Sequence, residues 1–189
     1  MVGELELLIY EMKHVRILTR GGTRKRLSEV EPGEEIIGII LRKSKKVVSL
    51  NFYLSTSFSS IPNPSCIKDM WIGELGEAEK DLCGYENTKR LLKCGILKNK
   101  LGEDEYLPSA GELKEAAACL SEINFVRRKL DLGDIHNCWL WSSTVQSRNV
   151  IWCLAISNKD KGKIEYWFDR GPYTLIFDIL TFIRYENLV

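Results

Sequence analysis

The chain has 189 residues, with 27 Lys and Arg against 26 Asp and Glu, and a formal net charge of +1. This near-neutral balance provides no long-range field for nucleic acid or an anionic membrane surface. A hydrophobic content of 44% with 28% charged residues is typical of a folded globular protein and excludes a disordered chain. We therefore predict a single domain over residues 1–189, with no nucleic-acid partner and no membrane insertion.

The N-terminal stretch does not resemble a secretory signal peptide. Glu4, Glu6 and Glu11 stand where such a peptide needs a basic start and an uninterrupted apolar run. Either the protein is not exported by that route, or the sequence begins after a leader has been removed.

The cysteines permit two interpretations. Their number, six, would allow three disulfides in an exported protein. No pair has CxxC spacing and only His14 and His136 are available besides, so a structural zinc site is not expected. Cys138 and Cys153 lie in apolar runs and Cys119 in an Ala-rich stretch, which favours buried thiols. The other three are Cys66, Cys83 and Cys94.

Residues 1–55 are predicted to form strands. "ELELLIY" and "HVRILT" are short apolar runs, and the Pro-Gly turn at Glu31–Glu35 precedes "IIGIILR" and "KVVSLNFYL". The basic "KSKK" turn between these last two runs predicts a hairpin. From Ser55 to Asp69 the Ser, Pro and Asn content predicts a loop.

Helices are predicted in the middle of the chain. After a break at Gly84, "ENTKRLLKC" has Asn87 or Thr88 as a candidate N-cap and Gly95 as the terminating residue. The second helix starts at a capping box, because Ser109 precedes Glu112 by three residues. Its apolar stripe has helical spacing and comprises Leu113, Ala116, Ala117 and Leu120.

The C-terminal part returns to strands. "CWLWSS", "NVIWCLAIS", "KIEYWFDR" and "YTLIFDILTFIRY" are separated by polar or Gly-containing turns. The order of strands, then helices, then strands predicts an α+β fold in which two main helices pack on a twisted antiparallel sheet. Residues 56–189 would form the core of this domain.

Motifs of known enzyme classes are absent from the sequence. We find no GxGxxG, GxxxxGK[ST], HExxH or GxSxG pattern. His136 and Cys138 would share one face of a strand, as a thiol enzyme requires, but Cys138 abuts Trp139 and Leu140. We therefore expect a non-enzymatic protein with no catalytic residues, no metal and no cofactor, and keep the His136–Cys138 thiol enzyme as an alternative.

Four motifs occur in an order that resembles a known family. They are "GYENTKRLL", "YLPSAGEL", "WLWSST" and "VIWCLAI", between Gly84 and Ile156. This order resembles the C-terminal domain of bacterial collagen-like adhesins, a family similar to C-type-lectin-like folds, formylglycine-generating enzymes and the variable proteins of diversity-generating retroelements. The resemblance implies a C-type-lectin-like fold with an N-terminal β-hairpin region, at a bacterial cell surface or on a phage virion.

The sequence departs from the family pattern at three positions. Val145 stands where the family has an acidic residue, and Phe177 and Leu180 stand where it has arginines. A Glu–Arg interaction is therefore replaced on both sides, which predicts a more apolar interior. The calcium-binding motifs of sugar-binding C-type lectins are also missing, so the fold alone does not specify a ligand.

The Trp-rich strands flank a polar tip. Trp139 and Trp141 share one strand face, and Trp152 lies in a run that is apolar on both faces, so we interpret these tryptophans as core. A ligand would then contact the tip and the strand after it. The candidate ligand-binding residues are Gln146, Arg148, Asn149, Tyr166, Trp167, Asp169, Arg170 and Tyr173.

Strand alternation divides these candidates. It places Tyr166, Phe168 and Arg170 on one face and Trp167 and Asp169 on the other. We favour the Tyr166–Arg170 face, because an arginine is rarely buried without a partner. The alternative is that Trp167 or Phe168 belongs to the core and that the two charges are an ordinary solvated pair.

Three functions follow from these observations. The first is a non-enzymatic ligand-binding or adhesion module that contacts an unknown protein or glycan. The second is a structural subunit of a fibre or pilus, which would form a homo-oligomer. The third is the thiol enzyme.

Overall fold

The computed structural model describes residues 13–58, 64–97, 101–159 and 163–184. The described residues form a nine-stranded sheet with helices on both faces. Its strands are β1 (Val15–Thr19), β2 (Arg24–Lys25), β3 (Ile36–Leu41), β4 (Val47–Thr56), β5 (Glu105–Tyr106), β6 (Cys138–Ser147), β7 (Val150–Lys159), β8 (Lys163–Pro172) and β9 (Phe177–Ile183). The run "ELELLIY", predicted as a strand, lies outside the described residues.

The strand order across the sheet is β2-β1-β3-β4-β9-β6-β7-β8, and the short β5 pairs with β9. The pairs are antiparallel except β6 with β9, which is parallel. The predicted β3–β4 hairpin is confirmed. However, β4 also pairs along β9, so the N-terminal strands continue the main sheet. The β-hairpin region expected near the N-terminus is therefore present, but it is part of the main sheet and not a separate unit.

Four α-helices lie between β4 and β6 in the described chain. They are α1 (Leu75–Ala78), α2 (Gly84–Lys93), α3 (Ala110–Ala118) and α4 (Leu120–Lys129). Two 3-10 helices span Leu27–Glu29 and Pro64–Met70, the second inside the segment predicted as loop. No helix of the described residues is long and apolar enough to cross a membrane.

The predicted helix ends are confirmed in part. The Ser109–Glu112 capping box is present at the start of α3, and Gly95 has a φ of 69°, the left-handed conformation that ends a helix. The predicted N-cap of α2 is wrong, because that helix begins at Gly84 with Cys83 as its N-cap. The stripe of Leu113, Ala116, Ala117 and Leu120 is buried, as predicted.

The core lies on both faces of the sheet. On one face, side chains of α3 and α4 such as Leu113 and Ile123 pack with Leu154 and Ile156 of β7. On the other, Trp141 packs with residues of the 3-10 helix Pro64–Met70 and of α2. Strands β6 and β7 are therefore covered on both sides over most of their length, which explains the apolar runs "CWLW" and "VIWCLAI" within them. The prediction of an α+β fold with helices packed on a largely antiparallel sheet is confirmed, whereas the C-type-lectin-like assignment stays a prediction. The prediction of two main helices is wrong, because the second one is divided at Cys119 into α3 and α4 and α1 precedes α2.

Candidate binding surfaces

The polar tip joins β6 to β7. Arg148 and Asn149 are exposed, and Gln146 is half-buried with its side-chain amide donating to the carbonyl of Gly73 at 3.4 Å. The backbone N–H of Tyr173 donates to the carbonyl of Asn149 at 3.3 Å, which fixes the tip against the end of β8. The structure therefore brings the tip close to the end of the strand that holds the other candidates.

The register of β8 on β7 assigns its side chains to faces. Tyr166, Phe168 and Arg170 pair with Ile156, Leu154 and Trp152, whose side chains pack under α3 and α4 or beside them. They share the helix-covered face of the sheet, as the alternation predicts. Phe168 is half-buried against this core, while Tyr166 and Arg170 are exposed at the sheet edge.

The candidate Tyr173 is withdrawn from the ligand-binding set. Its side chain is 2% exposed and its ring makes an edge contact with Phe58 at a centroid distance of 5.7 Å. Burial raises the pKa of its phenol above the ordinary value, and its hydroxyl has no hydrogen-bond partner among the described residues. It lies inside because the chain turns after Pro172 and directs Tyr173 into the core.

On the opposite face, three aromatic side chains cross the sheet in a line that we call the aromatic row. It consists of Trp167 in β8, Trp139 in β6 and Phe177 in β9. Trp139 makes an edge contact with Trp167 at 6.3 Å and stacks on Phe177 at 5.3 Å, measured between ring centroids. Trp167 is 43% exposed, and Ile176, next to Phe177 in the chain, is 66% exposed. Large apolar groups gathered at a surface are typical of interaction sites, which include protein contacts.

A cavity of about 790 Å³ lies on the face that carries Tyr166. Its walls come from α3, from the turn after β3 and from the segment between α1 and α2. Two polar atoms in its lining are buried without a hydrogen-bond partner among the described residues, Ser44 Oγ and Glu115 Oε2. Buried polar atoms are normally paired, so these two point to a ligand or to water.

The charge around this cavity is mainly positive. Its lining includes five cationic side chains and two carboxylates. The cationic residues are Lys13, Arg42, Lys43, Lys80 and Lys114, and the carboxylates are Glu79 and Glu115. Lys114 forms an ion pair with Glu79 at 2.7 Å. The surplus of positive charge favours a ligand that carries an anionic group.

The motif residues converge on a buried polar network that connects α2, α3 and β6. Thr144 Oγ1 donates to Asp81 Oδ2 at 2.6 Å and accepts the backbone N–H of Ala110 at 2.8 Å. Ser109 Oγ donates to the carbonyl of Asp81 at 2.5 Å. Thr88 Oγ1 accepts the N–H of Leu107 at 3.0 Å. These polar groups satisfy one another, so the motifs form a folding junction rather than an open ligand site.

Glu112 is the charged centre of this junction and is fully buried. Its carboxylate accepts from the backbone N–H of Ser109 at 2.9 Å and from the hydroxyl of Tyr106 at 3.2 Å, and it pairs with Lys46 Nζ at 2.8 Å. Burial raises the pKa of Glu112, and these partners oppose that rise. The ion pair with Lys46 attaches α3 to the start of β4.

The replaced family positions differ in their surroundings. Val145 is fully buried and Phe177 half-buried, and both pack in the cluster that contains Trp141. Leu180 is buried in the cluster on the opposite face. All three side chains thus pack in apolar clusters, but Val145 and Leu180 do not belong to the same one.

The His136–Cys138 pair lacks the surroundings of a reactive thiol. His136 is exposed and its Nδ1 lies 3.0 Å from the carbonyl oxygen of Asp134. Cys138 is buried, and burial together with the charge of Asp178 raises the pKa of its thiol to about 12. A nucleophilic cysteine needs a lowered pKa and an accessible sulfur. This environment disfavours the thiol-enzyme alternative.

One solved structure has a similar fold. It is the crystal structure of a fimbrial protein from Bacteroides ovatus ATCC 8483, with a TM-score of 0.60 and 16% sequence identity. The similarity covers 90% of this chain but 48% of the fimbrial protein, so the chain spans about half the length of that protein. No protein-family model and no curated protein matches the chain. At this identity the similarity shows a shared fold.

Sequence reasoning missed the aromatic row and most of the cavity. It interpreted Trp139 as core and did not consider Ile176 or Phe177 as surface, although the structure exposes Ile176 and half-exposes Phe177 and Trp139. A signal was present in "TLIFD", where consecutive Leu, Ile and Phe cannot all face inward from a strand. The cavity carries no such signal, because its walls come from segments far apart in the chain.

Proposed function

We propose that this chain is a non-enzymatic subunit, or a module of a subunit, of a bacterial surface fibre. The fold shared with a fimbrial protein supports a fibre-related role at the cell surface. The aromatic row carries the proposal within this chain, because it exposes apolar area next to an edge strand. Homo-oligomer formation, expected for a fibre subunit, is part of the proposal.

The edge strand strengthens this proposal. Among the described residues β8 pairs only with β7, so alternate residues of this ten-residue strand direct their backbone N–H and C=O groups away from the sheet. An exposed edge of this length is a template for pairing with another chain. A neighbouring subunit that added a strand along β8 would pair with this backbone and cover Trp167 at the same time.

An assembly assay tests the proposal. We expect the protein to form concentration-dependent oligomers in size-exclusion chromatography with light scattering, and filaments in negative-stain electron microscopy. Trp167→Glu should reduce assembly at least tenfold, because a charge in the contact must be desolvated. Trp71→Glu is the matched control, since Trp71 is a tryptophan of similar exposure, 37%, outside the aromatic row. Equal assembly of both variants would refute the role of the row.

A second candidate function is the ligand-binding or adhesion module implied by the resemblance to collagen-like adhesins and C-type-lectin-like folds. The cavity beside Tyr166 favours it, since its unpaired polar atoms and positive charge suit a ligand with hydroxyl groups and an anionic group. A glycan or a protein side chain of that chemistry would fit. Arg170 and the tip residues lie outside this cavity lining.

A binding screen separates the two functions. A glycan array that includes carboxylated sugars should show retention by the wild-type protein, lost in Tyr166→Ala and Lys43→Ala. Arg170→Ala is the control, because Arg170 is exposed on the same face but does not line the cavity. Retention that persists in Tyr166→Ala, or that depends on Arg170 alone, would contradict the assignment of the cavity.

A further inference from the structure

The 3-10 helix Pro64–Met70 is held against the C-terminal end of α2. Arg90 forms an ion pair with Asp69 and donates a hydrogen bond to the carbonyl of Cys66 at 3.4 Å. Ile67 and Leu91 are fully buried in one apolar cluster beneath this contact. The two segments are thus positioned by both polar and apolar contacts before any covalent bond joins them.

This contact brings two cysteines together. Cys66 lies in the 3-10 helix, and Cys94 is the C-cap of α2. The Cys94 Sγ atom lies 3.8 Å from the backbone carbonyl oxygen of Cys66, and the Cys66 thiol is close enough to help raise the pKa of Cys94. Both side chains are half-buried, so a small oxidant reaches them while the surrounding structure holds them in place.

We infer that Cys66 and Cys94 form a disulfide when the protein is in an oxidising compartment. Both are present as thiols in the structure. In the reaction a thiolate attacks a small-molecule disulfide such as oxidised glutathione and releases one reduced thiol. The second cysteine then attacks the mixed disulfide and releases another. The two protein thiols lose two electrons and two protons in total, and the oxidant gains them.

The other four cysteines lack a comparable partner. Cys138 and Cys153 lie on adjacent strands, but they pack into clusters on opposite faces of the sheet. Cys119 is at the junction of α3 and α4, and Cys83 is exposed at the start of α2, the other end of the helix from Cys94. The arrangement therefore selects one pair out of six cysteines.

The bond would close a loop of the chain with considerable effect on stability. The two cysteines are 28 positions apart. Closing a loop of this size restricts the unfolded chain, and in a domain of this length it raises Tm by roughly 5–10 °C. The bond would also attach the segment between β4 and α1 to the apolar cluster under the aromatic row.

The rate of closure should depend on pH. Burial and the contact with Cys66 raise the pKa of Cys94 to about 11. Little of this thiol is ionised at neutral pH, so exchange should be slow there and should accelerate about tenfold per pH unit as alkalinity increases.

The test uses the full chain and oxidised glutathione. After incubation at mildly alkaline pH, remaining thiols are alkylated, and the protein is examined by intact mass and by non-reducing peptide mapping. We expect a peptide pair that joins Cys66 to Cys94, two fewer alkylated thiols and the rise in Tm given above. Dithiothreitol should reverse all three changes in the same sample, which gives a comparison that requires no variant to fold.

Two variants provide controls. Cys94→Ala should lose the linked peptide and the rise in Tm, while Cys83→Ala should keep both. Alkylation of all six thiols after oxidation, or glutathione adducts on Cys66 or Cys94 without the linked peptide, would overturn the inference. So would an equal rise in Tm for Cys94→Ala.

The compartment in this inference rests on the proposed surface role, whereas the pairing rests on the geometry. A negative result in the oxidation experiment therefore counts against the disulfide alone, and a negative result in the assembly experiment counts against the fibre alone. A linked peptide in a protein that never assembles would support the disulfide and count against the fibre. A protein that assembles while all six of its thiols can still be alkylated would support the fibre and count against the disulfide.

Discussion

Gly111→Ala tests whether the motif junction is as tightly packed as the structure shows. A Cβ atom at Gly111 would lie 2.4 Å from the carbonyl oxygen of Asp81 and 2.9 Å from that of Glu79. Both atoms belong to the backbone, so the segment between α1 and α2 would have to move. The carbonyl of Asp81 also accepts from Gly111 N at 3.0 Å and from Ser109 Oγ at 2.5 Å, and these bonds would lengthen.

The magnitude follows from three contributions. Forcing a methyl group into a packed interior costs about 1–3 kcal/mol. Weakening two hydrogen bonds costs about 1–2 kcal/mol in total. The higher helix propensity of alanine opposes these losses and raises the free energy of unfolding by at most about 1 kcal/mol. We expect a net loss of about 1–5 kcal/mol in the free energy of unfolding; a loss of about 3 kcal/mol would lower Tm by about 6–12 °C in a domain of this length.

The measurement is urea unfolding followed by tryptophan fluorescence, with Gly76→Ala as the matched control. Gly76 is also helical, in α1, but a Cβ atom there meets nothing within 4 Å. That variant should be neutral or more stable by up to about 1 kcal/mol. If Gly111→Ala and Gly76→Ala gave the same free energy of unfolding, the packing of α3 on the Asp81 segment would not be as described.

Three further predictions concern the core and the titrating groups. Trp141→Ala should lower the free energy of unfolding in urea by about 3–5 kcal/mol, because this ring is fully buried. Trp167→Ala should lower it by less than about 1 kcal/mol. Equal losses would contradict the assignment of Trp167 to the surface. Burial raises the pKa of the Glu112 carboxyl in the folded protein above its value in the unfolded chain. The free energy of unfolding is therefore highest below the pKa of the unfolded chain, and it falls as pH rises through the pKa of the folded protein. The wild type should therefore lose stability relative to Glu112→Gln between acidic and neutral pH, and a pH-independent difference in unfolding free energy would refute this. Burial raises the pKa values of Cys138 and Cys153 to about 12. Iodoacetamide at neutral pH should therefore leave both thiols unmodified in the native protein and should modify both in denaturant. Rapid labelling of native Cys138 would restore the thiol-enzyme alternative.

Local signals predicted much of the fold. The capping box at Ser109 and the β3–β4 hairpin depend on residues a few positions apart, and both are present. The predicted N-cap of α2 is wrong because the side chains of Asn87 and Thr88 form hydrogen bonds with residues outside the helix. Asn87 donates to Asp81 Oδ2 at 2.9 Å, and the one hydroxyl hydrogen of Thr88 is within reach of the carbonyl of Gly84 in the same helix and of that of Leu107.

Long-range pairing could not be predicted in the same way. Strand β9 lies between β4 and β6, so the last strand joins the N-terminal strands to the Trp-rich strands. Nothing in the local sequence indicates this order, since the hydrophobic pattern defines faces but not neighbours. The aromatic row depends on it directly, because Phe177 reaches Trp139 only when β9 is next to β6.

Because the motif residues meet in one buried network, the family resemblance concerns the fold and does not identify a ligand. The residues that carry it, among them Thr88, Ser109 and Thr144, donate to or accept from buried backbone groups. A sequence that keeps these residues keeps a way of joining two helices to a strand, whatever its outer surface binds. Trp167 and Tyr166 take no part in the hydrogen bonds of this junction, although the cavity beside Tyr166 shares Gly111 and the segment after α1 with it. We therefore assign the two proposed functions to these two surfaces, and we expect variants at Trp167 and Tyr166 to separate a fibre contact from a ligand site while the junction, and with it the fold, stays intact.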